Sequence, residues 1–278
     1  MVMKRTATAI LSLLFLALSG LGKVRAQEFK FAFLTDMHVH SDSTLGQVER
    51  RLKSLPSAVE LLVSGGDNVD IDNLKSTDLS AGEQRLKSLK GLFDRTKKPY
   101  RMAIGNHDRL PGDLRNGNND FELFEKTFGK TYYSFDHKGW KFIVLNSVET
   151  RDNRYVIGDR QFAWLQDILK NTAKDQPVVI ISHVPFLSVY YPVLEGRYTA
   201  ADTFENQKQV FDLFKSHSLK LVLQGHMHLY EEIKVKGVQF ITAGAVSGNW
   251  WHGAFEGTAP GHLEVDVHGK DFSWKYVK

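Results

Sequence analysis

From residue 29 onward, short runs of β-branched, aromatic and leucine positions alternate with stretches of helical periodicity. Residues 29–34, 60–63 and 100–104 read as strands, with helical patterns over 45–55 and 80–93 between them. Residues 132–135 and 140–145 have the spacing of a hairpin joined by the tight turn Asp136-His137-Lys138-Gly139. Helical periodicity returns over 159–169, with Asp159 placed to cap it, and again over 206–215. Strands are predicted at 178–181 and 219–223, and four more follow without helices at 232–235, 238–242, 262–267 and 272–277. No repeat, low-complexity tract or Pro/Gly/Ser-rich linker divides this body. Alternation of strand and helix in one unit predicts a largely parallel sheet covered by helices, with a strand-rich end.

Five of these strands run into a polar cluster at the carboxyl end: Asp36, Asp67, Asn106, His183 and His226. Open α/β sheets place ligands at that edge. The five loops are therefore expected to converge on one spot.

Residues 1–26 break the pattern. Lys4 and Arg5 precede an apolar run from Ala7 to Leu18, and Val24-Arg25-Ala26 offers small residues at cleavage positions. That order is the layout of a secretory signal peptide, and the run is short for the ~20 apolar residues a membrane span needs. We therefore expect a leader over 1–26, a single domain over 27–278, an exported (periplasmic or extracellular) protein, and no membrane anchor once the leader is cleaved. The formal net charge of +4 sits entirely in the four cations of residues 1–26, which leaves the remainder neutral. A nucleic-acid binder would keep a basic excess on its folded part, so none is expected here. With no Cys, the fold has no disulfide framework, and thiolate ligands and nucleophiles are excluded. Any metal must sit among imidazole, carboxylate and amide oxygen.

The candidate clusters differ in specificity. Asp36-Met37-His38 is worthless alone, since such a triplet arises by chance about 0.8 times in a chain of this composition. Gly66-Asp67 is weaker still, and a lone His183 is more often a core or loop residue than a ligand. Gly105-Asn106-His107-Asp108 has a chance expectation of about 0.003, and Gly225-His226-Met227-His228 of about 0.04. Two His at i and i+2 share one side of an extended segment, so both could aim into one cavity. Joint occurrence, in order and after strands, decides: the set offers two Asp, four His and one Asn, enough donors for a pair of metal ions.

This order of motifs, D-x-H, G-D, G-N-H-[DE], H and G-H-x-H, resembles the calcineurin-like metallophosphoesterase superfamily, and the match runs from Asp36 to His228. The resemblance implies a four-layer α/β/β/α sandwich with the site between the two sheets. It implies one metal on Asp36, His38 and His228, a second on Asn106, His183 and His226, and Asp67 bridging both. It also implies that His107 is no ligand but contacts the phosphate and protonates the leaving group, oriented by Asp108. The activity implied is hydrolysis of phosphate mono- or diesters of small molecules or nucleotides by attack of a metal-bridging hydroxide. Two divalent or trivalent ions, Fe, Mn or Zn, would suit such a donor set.

Three further residues are weaker candidates for substrate contact: His40, two beyond His38, and Trp250 with Trp251, which could form an aromatic wall. Tyr190 and Tyr191 could line the same mouth. Purple acid phosphatases carry a tyrosine ligand three residues after the bridging Asp; here that position is Asp70, so the tyrosinate–iron colour should be absent. Serine/threonine protein phosphatases read G-D-x-x-D-R-G and G-N-H-E, from which this chain departs at Ile71-Asp72 and Asp108. Two other readings remain from the sequence: a catalytically silent metal-binding member of the fold, and an exported nuclease.

Overall fold

In β1 (Phe29–Leu34) successive side chains enter two different cores. Phe31 and Phe33 join one buried cluster, and Ala32 and Leu34 join another. A strand covered on both faces needs apolar residues at nearly every position, which is why these segments read as continuous runs instead of alternating ones. The computed structural model describes residues 27–114 and 120–278. The expected leader lies outside the described residues.

The first half runs α1 (Asp42–Ser54), β2 (Val59–Ser64), α2 (Leu79–Arg95), β3 (Tyr100–Met102), α3 (Glu122–Phe128), β4 (Tyr133–His137) and β5 (Trp140–Leu145). A two-stranded hairpin, β6 (Thr150–Arg151) and β7 (Arg154–Tyr155), leads into α4 (Asp159–Lys170) and β8 (Pro177–Ser182). A π-helical turn (Tyr191–Glu195) and α5 (Gln207–Asp212) precede β9 (Ser218–Gln224), β10 (Glu231–Val235) and β11 (Val238–Thr242). β12 (His262–His268) and β13 (Asp271–Val277) close the chain.

Two sheets result. The first has the order β13-β12-β1-β2-β3, with β1, β2 and β3 parallel. The second has the order β10-β11-β9-β8-β5-β4, with β5, β8, β9 and β11 parallel. The sheets share an inner core in which Phe31, Phe33, Leu61 and Val63 meet Phe142, Val144, Val179 and Ile181. Outward residues such as Leu62 and Ile180 pack with Val48 and Leu52 of α1, Leu86 and Phe93 of α2, and Leu165 of α4. This is the single-domain α/β sandwich expected, in four layers. Each of these fully buried side chains contributes ~1.5–3 kcal/mol, so the layering is held by many equivalent contacts.

Local details depart from the expectation. Asp159 does not cap α4: Gly158 takes the N-cap position, and Asp159, exposed, receives an ion pair from Arg151. α1 has the sturdier start, a reciprocal box in which Ser41 and Thr44 satisfy each other's backbone N–H. β3 stops at Met102, two residues short of the predicted end.

Candidate metal centre

The loops after β1, β2 and β3 of one sheet and after β8, β9 and β11 of the other meet at one end of the sandwich. They are stitched together by backbone hydrogen bonds: Asp36 N–H donates to Gly66 O (2.9 Å), His38 N–H to Asp67 O (3.0 Å), Gly225 N–H to His183 O (3.1 Å) and Ser247 N–H to Asp36 O (3.1 Å). The approach is too close for a side chain at the motif glycines. A Cβ on Gly105 would stand 2.1 Å from Asp67 N, and one on Gly225 2.1 Å from Thr35 Oγ1 and 2.8 Å from Asp36 Oδ2. Backbone strain gathers here as well. Asp36, His38, Asp67, His226 and His228 all have positive φ, between 42° and 72°. Five of the seven expected ligands in the left-handed region is a concentration that surrounding packing must hold in place.

These turns deliver the side chains into two adjoining groups. Asp36, His38 and His228 present ligand atoms within 4.8 Å of one another, and so do Asp67, His183 and His226. Asn106 joins the second group, its Oδ1 3.1 Å from His183 Nε2. Asp67 lies between them, with Oδ2 3.2 Å from His183 Nε2 and 3.7 Å from His38 Nε2. The G-H-x-H segment is not extended, as its spacing had suggested. Both His sit in left-handed turns, so His226 and His228 part company and serve different groups.

The donor set fits a metal pair. His228 Nδ1 lies 2.6 Å from Gly248 O, and His183 Nδ1 2.9 Å from Gly65 O. A carbonyl can only accept, so both rings donate from Nδ1 and turn Nε2 toward the centre. His38 Nδ1 likewise donates to Asp70 Oδ1 (2.7 Å). The Nε2 atoms of His38 and His228 then face each other at 3.1 Å, and that of His183 faces two oxygens. Imidazole nitrogens and carboxylate oxygens that converge this closely call for positive charge between them, which protons supply here and a metal pair could replace.

Two partners here were not read from the sequence. Asp108 was expected to orient His107, but it does not touch the ring. Its carboxylate turns into the loop and accepts from Asn68 N–H and Val69 N–H (3.0 Å each), Gly105 N–H and Asn68 Nδ2 (2.8 Å each). The ring is held instead by Asp72, whose Oδ1 accepts from His107 Nδ1 at 2.9 Å. Asp108 thus shapes the backbone that presents Asn106 and His107. Asp202, on the irregular segment before α5, accepts from His226 Nε2 (3.3 Å) and is itself bonded by the Tyr191 hydroxyl. His226 is left with Nδ1 as its lone-pair nitrogen.

The weaker candidates separate. Trp250 stands over the first group, its ring centroid 4.3 Å from that of His228, and lines a cavity of about 220 Å³ with His107, Tyr190, Tyr191 and Phe255. Trp251 faces away. Its indole N–H donates to His38 O (3.1 Å), and it lines a different pocket. His40 is also outside the cavity, turned back toward His38 O (3.1 Å) and Asp70 Oδ2 (3.5 Å). Neither forms part of the expected substrate wall.

A family model for calcineurin-like phosphoesterase matches residues 29–230. The chain belongs to that family. It is 29% identical over 106 residues to purple acid phosphatase 13 of Arabidopsis thaliana, a stretch covering 38% of this chain and 18% of that one, so it spans under a fifth of that relative. Among solved structures, a dimetal phosphatase from Danio rerio superposes with a TM-score of 0.64 at 15% identity, covering 90% of this chain and 96% of that one. Purple acid phosphatase PPD1 from yellow lupin (Lupinus luteus) seeds gives 0.60 at 15% identity, covering 91% and 52%. At these identities the likeness speaks for the fold.

Three residues after Asp67, the Asp70 carboxylate is spent on the outer nitrogen of His38. Electrostatics follow the carboxylates. Burial would raise Asp36, but the His228 hydrogen bond and nearby imidazoles hold it down at about 2. Burial works against the His183 charge, yet Asp67 and Asp36 push it up to about 9. His107 goes up to about 10: burial opposes its charge, and the Asp72 bond with the Asp67 charge overcomes that. A cation bound among the same carboxylates would displace the His183 proton and pull His107 back down. Burial and the Asp67 charge press Asp108 up to about 7, although its four N–H donors leave a proton little room.

Proposed function

We propose that the protein is a two-metal hydrolase of small phosphate esters, working outside the cytoplasm. The observation that carries this reading is the juxtaposition of a converging imidazole, carboxylate and amide ligand set with a ring that is not part of it. His107 Nε2 stands 4.0 Å from Asp67 Oδ2, with its other nitrogen committed to Asp72. Asp36, His38 and His228 would hold one ion, Asn106, His183 and His226 the other, and Asp67 both. When bound, such a pair supplies an acidified water and neutralises charge at the phosphate oxygens.

The chain's own residues provide the rest. His107 lines the cavity and holds a proton that can pass from Nε2 to the leaving-group oxygen, while Asp72 keeps its partner nitrogen protonated and stabilises the imidazolium. Tyr190, Tyr191, Trp250 and Phe255 narrow the mouth. A cavity of about 220 Å³ is small against the ~300–1,000 Å³ of typical ligand pockets, so the phosphate fits inside and the organic group reaches past Trp250. This accommodates monoesters and compact diesters alike. The apolar run after Lys4 and Arg5 supports export, and fractionation of an expressing culture tests it.

The decisive experiment counts metals in the purified protein and compares rates on p-nitrophenyl phosphate and bis-p-nitrophenyl phosphate. About two metals per chain are expected, with hydrolysis of at least one ester. His107→Ala should retain the metals and lose activity by about 10²–10⁴-fold. A fully loaded protein inert toward both esters would instead favour a silent metal-binding role.

A further inference from the structure

Behind the metal centre, on the far side of Trp251, lies a second and larger pocket of about 590 Å³. One wall is a face of α1. Gln47, Arg50, Arg51 and Ser54 follow the i, i+3, i+4, i+7 spacing that sets side chains along one side of a helix. Lys278 adds a third cationic side chain, and no Asp or Glu side chain lines the pocket. Among the described residues none of these three cations has an ion-pair partner. Arg51 makes one hydrogen bond, donating from Nη2 to Pro260 O (3.2 Å), which steadies it and leaves most of its donors free. Burial works against the Arg51 charge, so a half-buried guanidinium without an anion is held there at a cost.

Two further observations point to a ligand. Ser247, in the lining, is wholly buried, and its hydroxyl has no hydrogen-bond partner. Such a group normally finds a partner, and this one is left without a protein partner beside the pocket. The indole of Trp251 meanwhile supplies a flat apolar surface beside the cations.

From these features we infer that the pocket is a second binding site, for a small organic oxyanion whose phosphate or carboxylate meets Arg50 and Arg51 while its carbon skeleton lies on Trp251. Guanidinium forks match the paired oxygens of such groups. The site is back to back with the metal centre. The strip between them bonds to Thr35 O through Val246 N–H (2.9 Å), to Asp36 O through Ser247 N–H (3.1 Å) and to His38 O through the Trp251 indole (3.1 Å).

Isothermal titration of the metal-loaded protein with phenylphosphonate tests this. Two classes of site per chain are expected, one on the metals and one on the arginines. The double substitution Arg50→Gln/Arg51→Gln should weaken one class at least about tenfold and leave the other, with hydrolysis in the absence of phosphonate within about twofold of wild type. Should that variant fail a thermal-melt and metal-content check, Arg50→Gln alone carries the test, because Arg50 is exposed and its loss opens no core. Benzoate titrated in parallel tells carboxylates from phosphorus oxyanions: arginine-dependent binding extends the site to carboxylates, and binding of phosphonate alone supports it for phosphorus oxyanions. Binding that is unchanged in the variant, whether the wild type shows one class of site or two, overturns the inference. The measurement needs no turnover, so its failure is separate from any failure of the hydrolase reading.

Discussion

Asp36, His38 and His228 are buried to within 2% of full exclusion, and each is tied to an acceptor or donor that belongs to the sandwich itself: Thr35, Asp70 and Gly248 O. The second group is built differently. His183 is as deeply buried, but Asn106 and His226 are only partly buried, and the carboxylate that orients His226 comes from the segment between β8 and α5. That segment carries a π-helical turn and exposes Val193 (70%) and Tyr198 (93%). A ligand set fixed by packed sheet ends is organised before any ion arrives, whereas one completed by a surface segment depends on how that segment sits. The first group is therefore expected to hold its metal tightly and exchange it slowly, and the second to load and lose its ion more easily.

The largest effect should come from the residue both groups share. Asp67→Asn removes the charge that faces His38 and His183 together, and metal affinity should fall by more than the ~10–100-fold typical of outer partners, with activity lost alongside. If Asp67→Asn keeps two tightly bound ions, Asp67 does not bridge, and the division into two groups is wrong.

The comparison itself is broken or sharpened by a pair of substitutions one step outward. Asp202→Asn should weaken one ion by about 10–100-fold and spare the other, and Asp70→Asn should do the reverse. Competition with a chelator, monitored as metals remaining per chain, separates the two. Equal loss of both ions in Asp202→Asn would show that the surface segment supports the whole centre and that the halves are not independent.

A smaller effect distinguishes two neighbouring carboxylates. Asp72 raises His107, which is active as an acid only while protonated, so the rate is lost as pH rises through its pKa. Asp72→Asn should move that alkaline limb of the pH–rate profile to lower pH by about one unit with both metals retained. Asp108→Asn should leave the limb in place and instead lower the melting temperature, since it disturbs four hydrogen bonds to the loop. A limb that moves with Asp108 and not Asp72 would reverse this assignment.

These assignments also mark the boundary of what the sequence reveals. The sandwich and the seven candidate ligands were legible because each motif follows a strand, and strands of a parallel sheet deliver their ends to one edge. The partners one step outward were not. Asp72 and His107 are 35 residues apart, and Asp202 and His226 are 24, so their pairing exists only through space. Asp108 misled by adjacency. It follows His107 directly, but consecutive residues in a turn point apart, and its carboxylate is claimed by backbone N–H groups. Trp250 and Trp251 divide for the same reason: both have positive φ (44° and 71°), which sends one ring into the cavity and the other behind it. α3 and the β6–β7 hairpin escaped notice because seven- and two-residue elements are too short to show a period.

His262 provides the smallest test, and it isolates why the centre's imidazoles behave as they do. It is as buried as His183, at 1% exposure, but burial together with the charges of Arg51 and Lys275 presses it down to about 4, whereas His183 rises to about 9. Burial is common to both; what differs is the charge facing the ring, cations at His262 and carboxylates at His183. Glu264, 3.8 Å away, is engaged by Lys275 (3.1 Å) and Lys30 (3.6 Å), and neither ring nitrogen of His262 has a hydrogen-bond partner. A histidine depressed in the folded state stabilises above its unfolded pKa near 6.5, and that contribution is lost as pH falls toward 4. At pH 5.5 the loss is about 1 kcal/mol. His262→Leu removes it, so the variant should gain on the wild type by that amount between pH 7.5 and pH 5.5 in denaturant titrations. Parallel stability curves over that range would mean His262 is charged in the fold, and that the contrast with His183 owes nothing to the neighbouring acids.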